Sequence, residues 1–166
     1  YLNHMYNFRI NTYLKIIFCI SLVSIISAFF IEYVLGHQPC NLCLIQRIPY
    51  VMCLILIILN YLIEKDEKFV ILLLILIFSF GFLISFYHFG IEQGFFKESA
   101  VCTMKNTSGI ISKEELLKQL QIKIVSCKDV TFRIFGFSLT TFNILINLFL
   151  VILLINIFKN YEKFKK

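Results

Sequence analysis

The sequence predicts an all-α fold: an integral membrane four-helix bundle with a short amphipathic interfacial helix in its second long connection. Three observations lead there. Of the 166 residues, 59% are hydrophobic, 19 are Phe, and mean hydropathy is +0.84, too apolar for an ordinary soluble core. The apolar residues fall into four blocks, each about as long as the ~20 residues a helix needs to cross the hydrocarbon. No block shows the short alternating pattern of barrel strands, so helices are the spans. Charged residues collect at the chain ends and between the blocks, so the net charge of +6 reads as membrane-flanking charge rather than as a nucleic-acid footprint.

The first span is expected over Ile16 to Leu35, with Glu32 near its end, where a carboxylate sits at the interface and costs far less than at the bilayer centre. No small-residue cleavage site follows, so this span is expected to stay as an anchor. Gly36 to Gln38 turns the chain and Pro39 restrains it. The second span runs from about Leu44 to Ile63, with Pro49 in its first turns, where a missing N–H is least costly. The run Glu64-Lys65-Asp66-Glu67-Lys68 is a charged hairpin that returns the third span, Phe69 to about Gly90. A long connection, about 91–133, follows. In it Ser112-Lys113-Glu114-Glu115 has the form of a capping box, and Leu116, Leu117, Leu120 and Ile124 share one helical face; this is the interfacial helix. Gly94-Phe95-Phe96 is expected to dip into the interface. The last span is Ile134 to Phe158, ahead of a basic tail with Lys159, Lys163, Lys165 and Lys166. The chain reads as one membrane domain, without repeats.

Four spans put both termini on one side and the cysteine-bearing connections, about 36–43 and 91–133, on the other. Lys and Arg are denser in the termini and the hairpin, which points to cytoplasmic termini. Thiols on the far side of a bacterial inner membrane can stay oxidised, which agrees.

The six cysteines sort by position. Cys19 and Cys53 lie within apolar runs and read as small inert hydrophobes. Cys40, Cys43, Cys102 and Cys127 lie in or beside the polar connections; four such thiols suit two disulfides or one four-thiolate metal site. A C-x-x-C pair can close and reopen a small disulfide ring if one sulfur is a thiolate. Cys43 is the expected thiolate, because it begins a helix and Arg47 follows one turn later on the same face. Alone, Arg47 would read equally as a snorkelling interfacial arginine. Cys102 and Cys127 alone would read as a static staple, and beside an exchangeable pair they read as the second half of a relay. A four-thiolate metal site usually has two closely spaced pairs, and Cys102 and Cys127 are far apart. Covalent haem attachment would need His where Leu44 stands. A lone His37 or His88 near a helix end is more often hydrogen-bonded than a ligand. A metal-binding membrane protein using the four loop cysteines is the rival reading.

The segments Phe30-Ile31-Glu32-Tyr33-Val34-Leu35-Gly36 and Pro39-Cys40-Asn41-Leu42-Cys43-Leu44-Ile45-Gln46-Arg47-Ile48-Pro49-Tyr50, then Tyr87-His88-Phe89-Gly90-Ile91-Glu92-Gln93-Gly94, Cys102, Cys127 and Gly136-Phe137-Ser138-Leu139 touch all four spans and both loops. On these residues the chain resembles the disulfide bond formation protein B (DsbB) family of bacterial inner membranes. The resemblance implies a thiol:quinone oxidoreductase that reoxidises a periplasmic thioredoxin-like dithiol oxidase (DsbA-like) and passes two electrons to membrane quinone, ubiquinone or menaquinone; that system keeps the periplasm oxidising kinetically. It further implies that the partner attacks Cys102 and releases Cys127, that Cys127 attacks Cys40, and that Cys43 is freed to donate to quinone. In the same resemblance Arg47 polarises a quinone carbonyl and His88 lines that pocket.

Overall fold

In the computed structural model, described over residues 2–63, 67–98, 102, 127–128, 133–134 and 136–165, five helices and one small hairpin follow in order. They are α1 (Leu2–Tyr33), α2 (Asn41–Ile45), α3 (Ile48–Ile63), α4 (Glu67–Glu92), β1 (Arg133–Ile134), β2 (Phe137–Ser138) and α5 (Leu139–Lys165). The stretches long and apolar enough to span a membrane are Ile10–Tyr33, Asn41–Ile63, Glu67–Glu92 and Leu139–Tyr161. The fold is a four-helix membrane bundle. The interfacial helix expected over 112–124 lies outside the described residues.

Each span buries one stripe and shows lipid the rest. On α1 the buried positions are Ile10, Leu14 and Ile17; on α4 they are Ile71, Leu74 and Phe78; on α5, Leu150, Leu154 and Ile157. These spacings of three and four residues put each set on one face. Leu76, Phe80 and Leu83 point outward, each about 60% exposed, as lipid-facing side chains do. Helices α4 and α5 pack most extensively, α3 lies against α4, and α1 against α3. Lipid tails are as apolar as Leu, so close approach rather than water exclusion holds such helices together. Gly81 permits one such approach: a Cβ there would stand 2.8 Å from Asn147 Oδ1 and 3.1 Å from Pro49 Cγ.

Two element boundaries differ from the sequence reading. The second span is not continuous from Leu44: α2 ends at Ile45 and α3 starts at Ile48. Pro49 has no N–H to give the Ile45 carbonyl, and its ring disfavours a regular turn there, so the chain tightens, with Arg47 N donating to Leu44 O at 3.1 Å. The last helix begins at Leu139 rather than Ile134, because Arg133 and Ile134 pair antiparallel with Ser138 and Phe137. Ser138 then caps the helix, its Oγ accepting from Thr141 N at 3.4 Å. At the first loop Gly36 takes φ +71°, a left-handed turn that leads the chain from α1 toward Cys40.

Candidate functional site

The site is built at the end of the bundle where the first loop, α2, the C-terminal turn of α4 and the N-terminal turn of α5 meet. Cys40 is the N-cap of α2, and its Sγ accepts from Cys43 N at 3.3 Å. The Cys43 Sγ lies 2.7 Å from the Cys40 Sγ, so two-electron oxidation needs only a small motion to close the disulfide. Cys102 and Cys127 are joined as a disulfide. Lys128 N donates to Glu98 Oε1 at 3.2 Å, tying the two ends of the long connection together. The sulfurs of Cys40 and Cys127 and a ring nitrogen of His88 all lie within 4.8 Å of one another, buried. Residues of both cysteine pairs therefore meet at one point.

His88 is oriented by a chain of polar side chains that sequence reasoning left unassigned. The Tyr50 hydroxyl donates to Asn143 Oδ1, and Asn147 Nδ2 donates to the same oxygen at 3.1 Å. This leaves Asn143 Nδ2 to donate to Gln46 Oε1 at 3.0 Å and to Ser85 Oγ at 2.9 Å. Gln46 Nε2 then faces His88 Nδ1 at 3.0 Å, which makes Nδ1 the acceptor and puts the neutral imidazole's hydrogen on Nε2. That Nε2–H faces Cys40 Sγ at 3.6 Å and Glu92 Oε1 at 3.8 Å. A signal was present in the sequence: Ser85, His88 and Glu92, and likewise Thr140, Asn143 and Asn147, recur every three or four residues and so mark one polar face on each of two apolar spans.

The expected thiolate is corrected by these contacts. Cys40, not Cys43, receives the charge-stabilising groups. Its thiol is pulled down to about 5, first by the hydrogen bond from the Cys43 thiol and then by His88, against burial, which acts the other way. Arg47 does not serve Cys43 as its spacing suggested: its Nη1 pairs with Glu32 Oε2 at 2.6 Å and its guanidinium lies over the Phe29 ring at 5.3 Å. Glu32 is thus half of an ion pair joining α1 to the α2–α3 turn. One expected result follows from Cys40. Titration of thiolate absorbance with the inner pair reduced gives a transition near pH 5, ionised above it, and His88→Ala moves that midpoint upward. A midpoint in the ordinary thiol range would contradict the assignment.

Cys40 and Cys43 of the inner pair and Cys127 of the outer pair border a cavity of about 330 Å³. Its lining is mostly apolar, with Val23, Ala28 and Ile31 of α1 and Phe142 and Ile146 of α5, and includes Cys40, Cys43, Arg47 and His88. A site of that size and makeup suits a flat, lipid-soluble ring bearing polar oxygens. Cys40, His88 and Cys127 are also the donors that come close enough for a metal ion among the described residues, but the Cys127 sulfur is here bonded to Cys102, so the four loop cysteines do not form a thiolate cage in this state. Of the remaining cysteines, Cys53 is buried and accepts from Ser21 Oγ at 3.4 Å, and Cys19 is exposed on α1.

A family profile described as "Disulfide bond formation protein DsbB" matches residues 11–157, the bulk of the chain. The chain belongs to the DsbB family. It is a multi-pass membrane protein of disulfide bond formation, as DsbB members are. It is also similar to the uncharacterized protein RP370 of Rickettsia prowazekii (strain Madrid E), 28% identical over 143 residues, covering 84% of this chain and 82% of that protein. No solved structure gives a significant match. The DsbB match extends over both cysteine pairs, Arg47 and His88.

Proposed function

We propose that this DsbB-family protein is a thiol:quinone oxidoreductase, taking electrons from a periplasmic DsbA-like dithiol oxidase and giving them to membrane quinone. In this reading both cysteine loops are periplasmic and both termini cytoplasmic, as the basic density suggests. The single observation that carries the proposal is the approach of Cys127 Sγ to Cys40 Sγ, within 4.8 Å, beside a cavity bordered by Arg47 and His88. A static pair of staples has no need of that meeting.

The chemistry is thiol–disulfide exchange. The partner's thiolate attacks Cys102, the Cys102–Cys127 bond breaks, and Cys127 leaves as a thiolate. Cys127 then attacks Cys40 of the closed inner ring, and Cys43 leaves. A second thiol of the partner resolves its bond to Cys102, and exchange between the pairs returns the Cys102–Cys127 disulfide, with both electrons now on Cys40 and Cys43. The described arrangement matches that stage: the outer pair is bonded and the inner pair is free. Quinone, when bound, supplies a two-electron acceptor. The α1 and α5 side chains that line the cavity would hold it and keep water out, and Arg47 would stabilise the negative charge that develops on an oxygen.

Purified protein given a reduced periplasmic dithiol partner and a soluble quinone analogue is expected to reduce the quinone one-for-one with partner oxidised. Partner oxidation without quinone reduction, or a stoichiometric bound metal with four free loop thiols, would overturn the reading.

A further inference from the structure

Glu92 has no part in the scheme so far, yet it occupies an unusual position. Its side chain is only 6% exposed, at the last turn of α4, and it borders the cavity. Oε1 accepts from the Thr140 hydroxyl and stands 3.8 Å from His88 Nε2. Among the described residues Oε2 is buried with no hydrogen-bond partner. A buried carboxylate oxygen left unpaired is expensive, and a proton or a ligand on it would remove that cost. The other carboxylate on the cavity, Glu32, is committed to Arg47.

One path connects Glu92 with the Cys40 sulfur. His88 Nε2 lies between Cys40 Sγ, at 3.6 Å, and Glu92 Oε1. On the other side of the ring, His88 Nδ1 is 3.3 Å from Thr140 Oγ1, whose hydrogen already points to Glu92. Nδ1 stays the acceptor of the Gln46 amide, so the proton moves at Nε2: its hydrogen passes to Glu92 Oε1 as the Cys40 thiol replaces it. Thiol, imidazole and carboxylate thus lie in sequence, and the Thr140 hydroxyl holds the carboxylate in place.

We propose that Glu92 holds the proton that leaves the Cys40–Cys43 dithiol until a quinone oxygen takes it. The inference rests on the thiol:quinone reading above. The step balances. In the reduced pair Cys40 is ionised and its proton is held on Glu92. Closing the Cys40–Cys43 S–S bond then breaks the one remaining S–H bond, at Cys43, and releases two electrons; quinone gains both electrons, the Cys43 proton and the Glu92 proton and becomes quinol. The proton that waits on Glu92 reaches it from Cys40 through His88. Glu92 acts through His88 on the sulfur, so toward the thiols it is a positioning residue.

The test is redox difference infrared spectroscopy on the full chain in lipid nanodiscs, with the inner pair reduced chemically. The parent is expected to show a deuterium-sensitive carboxylic acid C=O band on reduction of Cys40 and Cys43, and Glu92→Gln is expected to lose it. In turnover, Glu92→Gln is expected to lower kcat for quinone reduction about 100-fold, the scale of a lost acid–base group, with quinone KM unchanged. Glu92→Asp is expected to recover most of the loss. Unchanged single-turnover exchange at Cys102 shows that each variant is folded. A band that survives in Glu92→Gln, no band in the parent, or an unchanged kcat would overturn the proposal. Failure of the parent to reduce any quinone would instead overturn the functional reading, and the infrared band, read without quinone, separates the two.

Discussion

Replacement of Cys43 by serine is expected to reduce quinone turnover by several orders of magnitude, as loss of a nucleophile from a catalytic set does. The Cys102–Cys127 disulfide is untouched by that change, so one equivalent of partner dithiol is still oxidised in a burst. Turnover then stops, because Cys40 has no neighbour with which to close a ring and send two electrons onward. Stopped-flow measurement of partner oxidation, followed alongside quinone absorbance, reads both phases. Continued turnover near the parent rate would mean that electrons reach quinone without the inner ring, and the relay would be wrong.

Arg47→Met is expected to separate the two half-reactions. The guanidinium lies on the cavity, so its loss removes the cation proposed to stabilise a quinone oxygen; removal of one such donor typically costs about 100-fold or more. Exchange at Cys102 needs no charge at that place and is expected to stay near the parent rate. The structure adds a second effect that spacing did not foretell. Glu32, 21% exposed, loses the partner it holds at 2.6 Å, and a partly buried carboxylate left unpaired costs about 1–3 kcal/mol of stability. Glu32→Gln in the Arg47→Met background is expected to regain part of the thermal stability and none of the quinone activity. Equal loss of both half-reactions in Arg47→Met would contradict the role given to this residue.

Much of the architecture was legible because bilayer thickness imposes a length that sequence displays directly. Four apolar runs and a C-x-x-C motif between the first two need no knowledge of packing. Features that depend on how one helix lies against another were not legible in that way. Arg47 is spaced to meet Cys43 on an ideal helix, but Pro49 interrupts that helix, and the guanidinium turns to Glu32 on α1 instead. Cys40 precedes the helix and reads as the less favoured thiol, yet as the N-cap it receives the Cys43 N–H and faces His88 from α4. Asn143 and Asn147 of the last span find partners in Gln46 and Tyr50, which the α2–α3 turn and α3 bring across. Polar residues inside spans carried more information than the sequence reading drew from them, since an unsatisfied amide in hydrocarbon is costly and its presence implies a partner.

The central claim is that the two cysteine pairs exchange through Cys127 and Cys40. It is tested most directly in a protein carrying Cys43→Ser and Cys102→Ser, oxidised mildly in the membrane and mapped by non-reducing peptide mass spectrometry. The account predicts a nearly complete Cys40–Cys127 disulfide. Recovery of Cys40 and Cys127 as separate free thiols, or bonded to other partners, would contradict it.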